Sequence, residues 1–360
     1  MTGGQIMKCI TLNETPYQNG LKYGKECAAE IWVSIDTYTK RYLNSKQITW
    51  EDAKRLAKRF EACIKQQFRD EMQGIADGAG LTYEDILALN VRSEILYSGL
   101  RTEEPNGECT AFSAVAPATK DGSVYAGQTW DYSMSQREAA VMVRYCATSE
   151  HPNILMIVEA GMLGGKGIND AGISITINAL STHSFEIGIP LHIRMRMALE
   201  QKNLADAFHV ITKSPIPTAG CLILTHKDGL SIGVELDPDG FDVLMPNNGI
   251  LTHTNHFVGP RMTAIHKCSS NASSYIRYQR INQLMQTNGL LTTDDLKRFT
   301  ADHAGYPYSI CKHPDHAVSK DELALTNATN HAFIADLTNG IIYVAEGNPC
   351  ESVFETIKFY

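Results

Sequence analysis

A change of hydrophobic period near residue 108 limits the folds open to this 360-residue chain more than any other feature. Before it, apolar side chains recur at helical spacing: Leu21, Cys27, Ala28, Ile31, Trp32, Ile35, Tyr38 and Tyr42 mark one amphipathic helix. A second helix is expected from about Trp50 to Met72, with Thr49 three residues ahead of Asp52 as its capping signature and Leu56, Phe60, Ile64 and Phe68 on one face. Thr82-Tyr83-Glu84-Asp85 opens a third that carries Ile86, Leu87, Leu89 and Val91. After residue 108 short apolar runs alternate with Gly, Pro, Asp and Asn. Phe112-Ser113-Ala114-Val115, the turn Lys120-Asp121-Gly122 and Ser123 to Gly127 read as a hairpin, and strands are expected at 141–146, 154–158 and 173–177. A helical block at 193–211 is followed by a meander at 221–225, 231–236, 241–244 and 250–254. A helical pair near 275–285 and 293–299 precedes closing strands at 332–336 and 341–345. Strands grouped as antiparallel meanders, with helices grouped between them, predict an α+β protein of stacked layers rather than βαβ units. With no repeat, low-complexity tract or linker, residues 1–360 read as one domain.

Composition narrows the function. Apolar residues make up 43% and charged residues 20%, which suits a globular protein with a sizeable core. A formal charge of −8 gives no basic footprint for nucleic acid or an anionic membrane, and no apolar run is long enough to span a bilayer. Nine scattered cysteines, odd in number and without a Cys-x-x-Cys pair, argue against a disulfide framework or a cysteine zinc site and for a reducing compartment. The closing Lys358-Phe359-Tyr360 is not a peroxisomal address, so a cytoplasmic location is expected. Met1-Thr2-Gly3-Gly4-Gln5 resembles an expression leader, which places the expected natural start at Met7.

Cys109 sits at the boundary itself, in Asn106-Gly107-Glu108-Cys109-Thr110-Ala111-Phe112. A cut between Glu108 and Cys109 would make it a new amino terminus, with a thiol nucleophile and an amine able to act as its base on one residue. Asp131, in Gly127-Gln128-Thr129-Trp130-Asp131, lies one strand pair further on and can return beside it. In His253-Thr254-Asn255-His256 the imidazoles fall on opposite faces of a strand end, which suits a shared metal poorly, while the Asn255 amide can donate to a developing oxyanion. Gly161 to Gly167 is glycine-rich, but its Gly-Lys is not followed by Ser or Thr. It reads as a tight strand connection rather than a phosphate loop. Tyr306-Pro307-Tyr308-Ser309-Ile310-Cys311-Lys312 is an aromatic segment carrying Ser309 and Lys312. No papain-like or caspase-like neighbourhood surrounds any cysteine.

Taken in order, these segments resemble the acyl-coenzyme A:6-aminopenicillanate (isopenicillin N) acyltransferase family of cysteine N-terminal nucleophile (Ntn) hydrolases. The resemblance spans nearly the whole chain. It includes Pro16 to Gly24, Glu71 to Ala79, Leu89 to Glu94, Cys109-Thr110-Ala111, Gly127 to Asp131, Gly167 to Gly172, Ile177 to Leu180, His253 to His256 and Tyr306 to Cys311. It implies a four-layer αββα fold and a precursor that cuts itself between Glu108 and Cys109 into a helical α chain, 1–108, and a catalytic β chain, 109–360. Carried over by position, Cys109 is the nucleophile, Asp131 positions its amino terminus, and Asn255 donates to the oxyanion. Thr110, Asn178, Ser309 and Lys312 are weaker candidates for substrate binding or processing.

The implied function is acyl transfer or amide hydrolysis on a small N-acyl substrate through an acyl-cysteine. Acyl-coenzyme A is a possible co-substrate, and no cofactor or metal is expected. Transfer from acyl-coenzyme A to an amine and plain hydrolysis of N-acyl or β-alanyl amines both fit. An uncleaved binding or scaffold protein of the same fold is the alternative from another class. Two residues depart from the family's penicillin enzyme. Glu108 stands where that enzyme has glycine, and a carboxylate there is expected to raise the thiol pKa and slow cleavage. Lys312 stands where it has arginine, which removes bidentate recognition of a carboxylate.

Overall fold

In a computed structural model, the structure describes residues 7–97, 108–266, 271–314 and 319–359. Residues 1–6 and the stretch just before Glu108 lie outside it, as does Cys268. Two sheets form the centre. The larger has eight strands in the order Cys9–Leu12, Ala140–Tyr145, Ile154–Glu159, Lys166–Asn169, Ile173–Ala179, Gly220–His226, Leu230–Asp237 and Gly240–Leu244. Only its first pair is parallel. The smaller has six antiparallel strands in the order Ile250–His253, Glu108–Ala114, Tyr125–Ser133, Asn327–Asp336, Ile341–Glu346 and Glu355–Lys358.

The sheets pack face to face, and helices cover both outer faces, giving the expected helix–sheet–sheet–helix layering. Helices Leu191–Leu199 and Leu204–Thr212 lie on the larger sheet with the amino-terminal helices beside them. Helices Ala272–Thr287 and Thr293–Thr300 cover the smaller one, where Ile281, Met285, Leu296 and Phe299 pack on Phe112, Ala114 and Tyr125. Burial of these continuous faces is the main stabilising contribution.

Several expected helices are divided. The first becomes Pro16–Glu26 and Ala28–Lys46, broken at Cys27; the second becomes Trp50–Lys58 and Gln66–Ala79 around a short 3₁₀ turn at Glu61–Cys63. The third becomes Tyr83–Asn90 and Arg92–Tyr97, and the block at 193–211 becomes Leu191–Leu199 and Leu204–Thr212. The capping residues are as read: Thr49 with Asp52, and Thr82 with Asp85, each form a reciprocal capping box.

Two family-like segments of the first third turn out to be one contact. Helices Pro16–Glu26 and Gln66–Ala79 cross on their glycines: a Cβ on Gly20 would stand 2.0 Å from the Glu71 carbonyl oxygen, and one on Gly74 2.1 Å from that of Tyr17. Only glycine lets the two backbones approach so closely. These motifs therefore serve packing.

Candidate active site

The pleat of Glu108–Ala114 sorts its side chains into two sets. Cys109, Ala111 and Ser113 face the other sheet: Ala111 packs with Cys221 and Ile223, and Ser113 Oγ is 2.6 Å from Ser231 Oγ. Glu108, Thr110 and Phe112 face helices Ala272–Thr287 and Thr293–Thr300. The neighbouring strand follows the same rule, because residues directly opposite in an antiparallel pair share a face. Asp131 pairs with Glu108 and Trp130 with Cys109. The thiol and the carboxylate before it thus look in opposite directions.

Three elements converge on the Cys109 backbone. Its N–H donates to Asn255 Oδ1 at 2.8 Å, just beyond the Ile250–His253 strand. Its carbonyl accepts from Asn178 Nδ2 at 3.0 Å, from the opposite sheet, and from Arg277 Nη1 at 2.6 Å, from helix Ala272–Thr287. Arg277 is fully buried and donates further to Thr110 Oγ1, Asn255 Oδ1 and Ser273 Oγ. The Asn255 amide orientation follows from these partners. Arginine and a backbone N–H can only donate, so they require the oxygen, while Nδ2 donates to the Ala179 carbonyl at 3.0 Å. Asn255 therefore offers Cys109 N an acceptor, and one Nδ2 hydrogen remains beyond the Ala179 bond.

Charge is divided between the two faces. On the outer face, Lys312 Nζ lies 2.5 Å and Ser273 Oγ 3.1 Å from Glu108 Oε2. Burial opposes ionisation of Glu108, yet Arg277 and Lys312 together hold it below the usual carboxylate range. Asp131 Oδ1 accepts from Thr329 Oγ1 at 2.7 Å, and its buried Oδ2 has no hydrogen-bond partner. Burial pushes this carboxyl up to about 7 against the pull of Arg277 and Thr329. On the inner face, burial pushes the Cys109 thiol up to about 12; the Asp131 charge adds to the rise, and Lys166 and Arg277 oppose it. Lys312 pairs with the Glu108 carboxylate, and the pleat turns it away from the thiol.

Of the residues expected to act together, the structure gathers Glu108, Cys109, Thr110, Asp131, Asn178, Asn255 and Lys312. The buried Ser309 hydroxyl donates to the Cys311 carbonyl at 2.7 Å, just before Lys312. The two imidazoles of the 253–256 segment serve different partners, His253 Nε2 with Glu235 Oε1 at 2.8 Å and His256 Nδ1 with Ser274 Oγ at 2.7 Å.

Three residues carried no signal in the sequence. Arg277 and Ser273 sit in an ordinary amphipathic helix. Lys166, from the glycine-rich connection, is buried with its ammonium 3.9 Å from the centre of the Trp130 ring. Burial brings it down to about 7, against the charges of Glu159 and Cys109.

Residues 118–351 match the family described as Acyl-coenzyme A:6-aminopenicillanic acid acyl-transferase, a span that holds Asp131, Asn178, Asn255, Arg277 and Lys312 and begins after Cys109. The chain belongs to this family. The acyl-transferase family assignment makes it an enzyme of the acyltransferase or amide-hydrolase type. Among characterised relatives, the acyl-coenzyme A:6-aminopenicillanic-acid-acyltransferase 40 kDa form of Emericella nidulans is 28% identical over 309 residues, 84% of each chain. Similar solved structures include the N-acylethanolamine-hydrolyzing acid amidase ortholog of Caenorhabditis elegans, at TM-score 0.44 and 14% identity over 64% of this chain and 93% of that one. A variant of the conjugated bile acid hydrolase of Clostridium perfringens aligns at TM-score 0.41 and 13% identity over 70% of this chain and 97% of that one.

Proposed function

We propose that this enzyme is a self-processing acyltransferase or amidohydrolase that works through an acyl-Cys109 intermediate. The observation that carries the reading is the three-sided hold on the Cys109 backbone by Asn255, Asn178 and Arg277, with a buried, half-satisfied Asp131 one residue across the sheet.

In the uncut chain the Cys109 thiol attacks the Glu108 carbonyl carbon, forming a thioester as the Glu108–Cys109 amide bond breaks. The nitrogen takes a proton and becomes an α-amine, and water then releases the Glu108 carboxyl. Burial keeps the thiol protonated at neutral pH, so the attack needs a base. Among the described residues, Asp131 and Lys166, both brought to about 7, are titratable groups beside the thiol suited to that task. After the cut, the new α-amine is held where Asn255 Oδ1 accepts from Cys109 N, and Asp131 Oδ2 gives it an anionic partner. With a reference pKa of about 7.7–8.0, a fraction of the amine is neutral and takes the thiol proton. The thiolate then attacks the carbonyl of an amide or an acyl-coenzyme A thioester, and the acyl group passes to an amine or to water. The remaining Asn255 Nδ2 hydrogen is the donor for the tetrahedral oxyanion, a role worth about 2.7–4 kcal/mol in comparable sites.

Glu108 is the first acyl group the thiol meets, so the surroundings of its side chain outline an acyl pocket. Lys312 and Ser273 suit a donor with a carboxylate several bonds from the reacting carbonyl. Mass spectrometry of products from an acyl-coenzyme A plus an amine, set against an N-acyl amine in water, separates transfer from hydrolysis. Denaturing gels of wild type and Cys109→Ala test the mechanism. Wild type is expected as two bands and the variant as one inactive band. A wild type that stays full length and turns over amides at the variant's rate contradicts it.

A further inference from the structure

Away from the Cys109 thiol, two histidines and two cysteines converge. His303 follows helix Thr293–Thr300, Cys311 and His313 lie in the loop after it, and Cys350 lies in the turn after strand Ile341–Glu346. One ligand atom from each lies within 4.8 Å of all the others. The separations are 3.0 Å between the Nε2 atoms of His303 and His313 and 3.6 Å between the sulfurs. Cys350 Sγ is 3.2 Å and Cys311 Sγ 3.9 Å from His313 Nε2.

Hydrogen bonding cannot account for this convergence. A neutral imidazole nitrogen offers one hydrogen or one lone pair, yet His313 Nε2 has three partners at once. A shared cation accounts for all of them. A tetrahedral ion with bonds of about 2.3 Å to sulfur and about 2.0–2.1 Å to nitrogen sets ligand-to-ligand edges of about 3.8 Å for S–S, 3.3 Å for N–N and 3.6 Å for S–N. The N–N and S–S separations fall a few tenths of an ångström short of those edges, and the two S–N separations lie on either side of theirs. The surroundings also suit a metal: Glu351 Oε1 lies 3.7 Å from His313 Nδ1, the ring nitrogen turned away from the cluster, and Asn348 Nδ2 lies 3.5 Å from Cys311 Sγ.

We propose that His303, Cys311, His313 and Cys350 form a structural Zn²⁺ site. Two thiolates and two imidazoles in a closed tetrahedron favour zinc over the harder divalent ions, and the exposed His303 and Cys350 give the ion a way in. The site escaped a search for short cysteine spacings because Cys350 enters from 39 residues away in sequence. Lys312 stands between two of the ligands. Its backbone is fixed by Thr329 and Asn348, and its ammonium holds Glu108. The zinc clasp therefore sets the loop that places Lys312 against the residue before Cys109. The metal site itself does not depend on the proposed cut.

Metal analysis of the intact chain, purified without chelator, is expected to find about one zinc per chain. Cobalt(II) added after chelator stripping is expected to give the thiolate-to-metal charge-transfer absorption of a two-thiolate tetrahedral site. Cys350→Ser and His303→Ala are each expected to lose both signals, while Cys9→Ser, at an exposed cysteine elsewhere, keeps them. Folded wild type with neither stoichiometric zinc nor a cobalt band overturns the site. So does a Cys311–Cys350 disulfide in the purified protein, zinc retained by both ligand variants, or a different metal on the same four residues.

Discussion

The two faces of the Glu108–Ala114 strand carry opposite chemistry. The outer face is ionic: Glu108, Asp131, Arg277 and Lys312 balance one another under a helix. On the inner face the Cys109 thiol sits with Trp130 and the buried ammonium of Lys166. A one-residue shift in register would exchange them and turn the nucleophile toward Lys312 and Ser273. The pleat therefore does what composition alone does not suggest. It turns the Glu108 carboxylate toward Lys312, while the charges that act on the thiol are those of Asp131, Lys166 and Arg277.

Variants at the two faces should separate in size. Cys109→Ala should reduce processing and turnover to background, on the gels described above. Arg277→Met should come next: it strips a buried network of its central cation and leaves Glu108 and Asp131 undercompensated, a change that costs about 3–5 kcal/mol where a buried pair loses one partner. Denaturant unfolding checks the stability, and processing should fail as well. Asn178→Ala should leave the fold nearly intact and slow self-cleavage by about tenfold, the scale of one lost positioning hydrogen bond to the Cys109 backbone. A pulse-chase of precursor conversion measures it.

Asp131→Asn tests the coupling between the faces through pH. The folded-state pKa of Asp131 is raised to about 7 from 3.8, so its contribution to stability is fully present below the unfolded value and is lost as pH rises through about 7. The variant should flatten the stability profile between about pH 4 and 7 and remove an inflection near pH 7 from the cleavage rate. Glu108→Gln should have the smallest effect, about threefold or less on the cleavage rate, because the carboxylate is paired with Lys312 and faces away from the thiol. A much faster Glu108→Gln variant would show that the outer charge reaches the thiol after all.

The layer pattern was legible because period-3.6 and period-2 segments are local properties. The capping boxes at Thr49 and Thr82 were legible for the same reason. The breaks at Cys27 and around Glu61–Cys63 were not, since apolar spacing continues across a one-turn interruption. The short strand Cys9–Leu12 owes its existence to a partner far along the chain, Ala140–Tyr145, and Lys166–Asn169 to pairing on both of its edges.

Site residues divide in the same way. Cys109, Asp131, Asn178 and Asn255 stand in ordered motifs, whereas Arg277, Ser273 and Lys166 reach Glu108 or Cys109 from far along the chain and leave no local trace. Motif content was also an uneven guide. The glycines at 20 and 74 mark a helix crossing, and the Ser309 hydroxyl donates to the Cys311 carbonyl.

N-terminal sequencing of the purified protein tests the central claim most directly. The account predicts a second amino terminus reading Cys109-Thr110-Ala111-Phe112, present in wild type and absent from Cys109→Ala. A single uncut chain in wild type after long incubation, or a new terminus at any other residue, would contradict it.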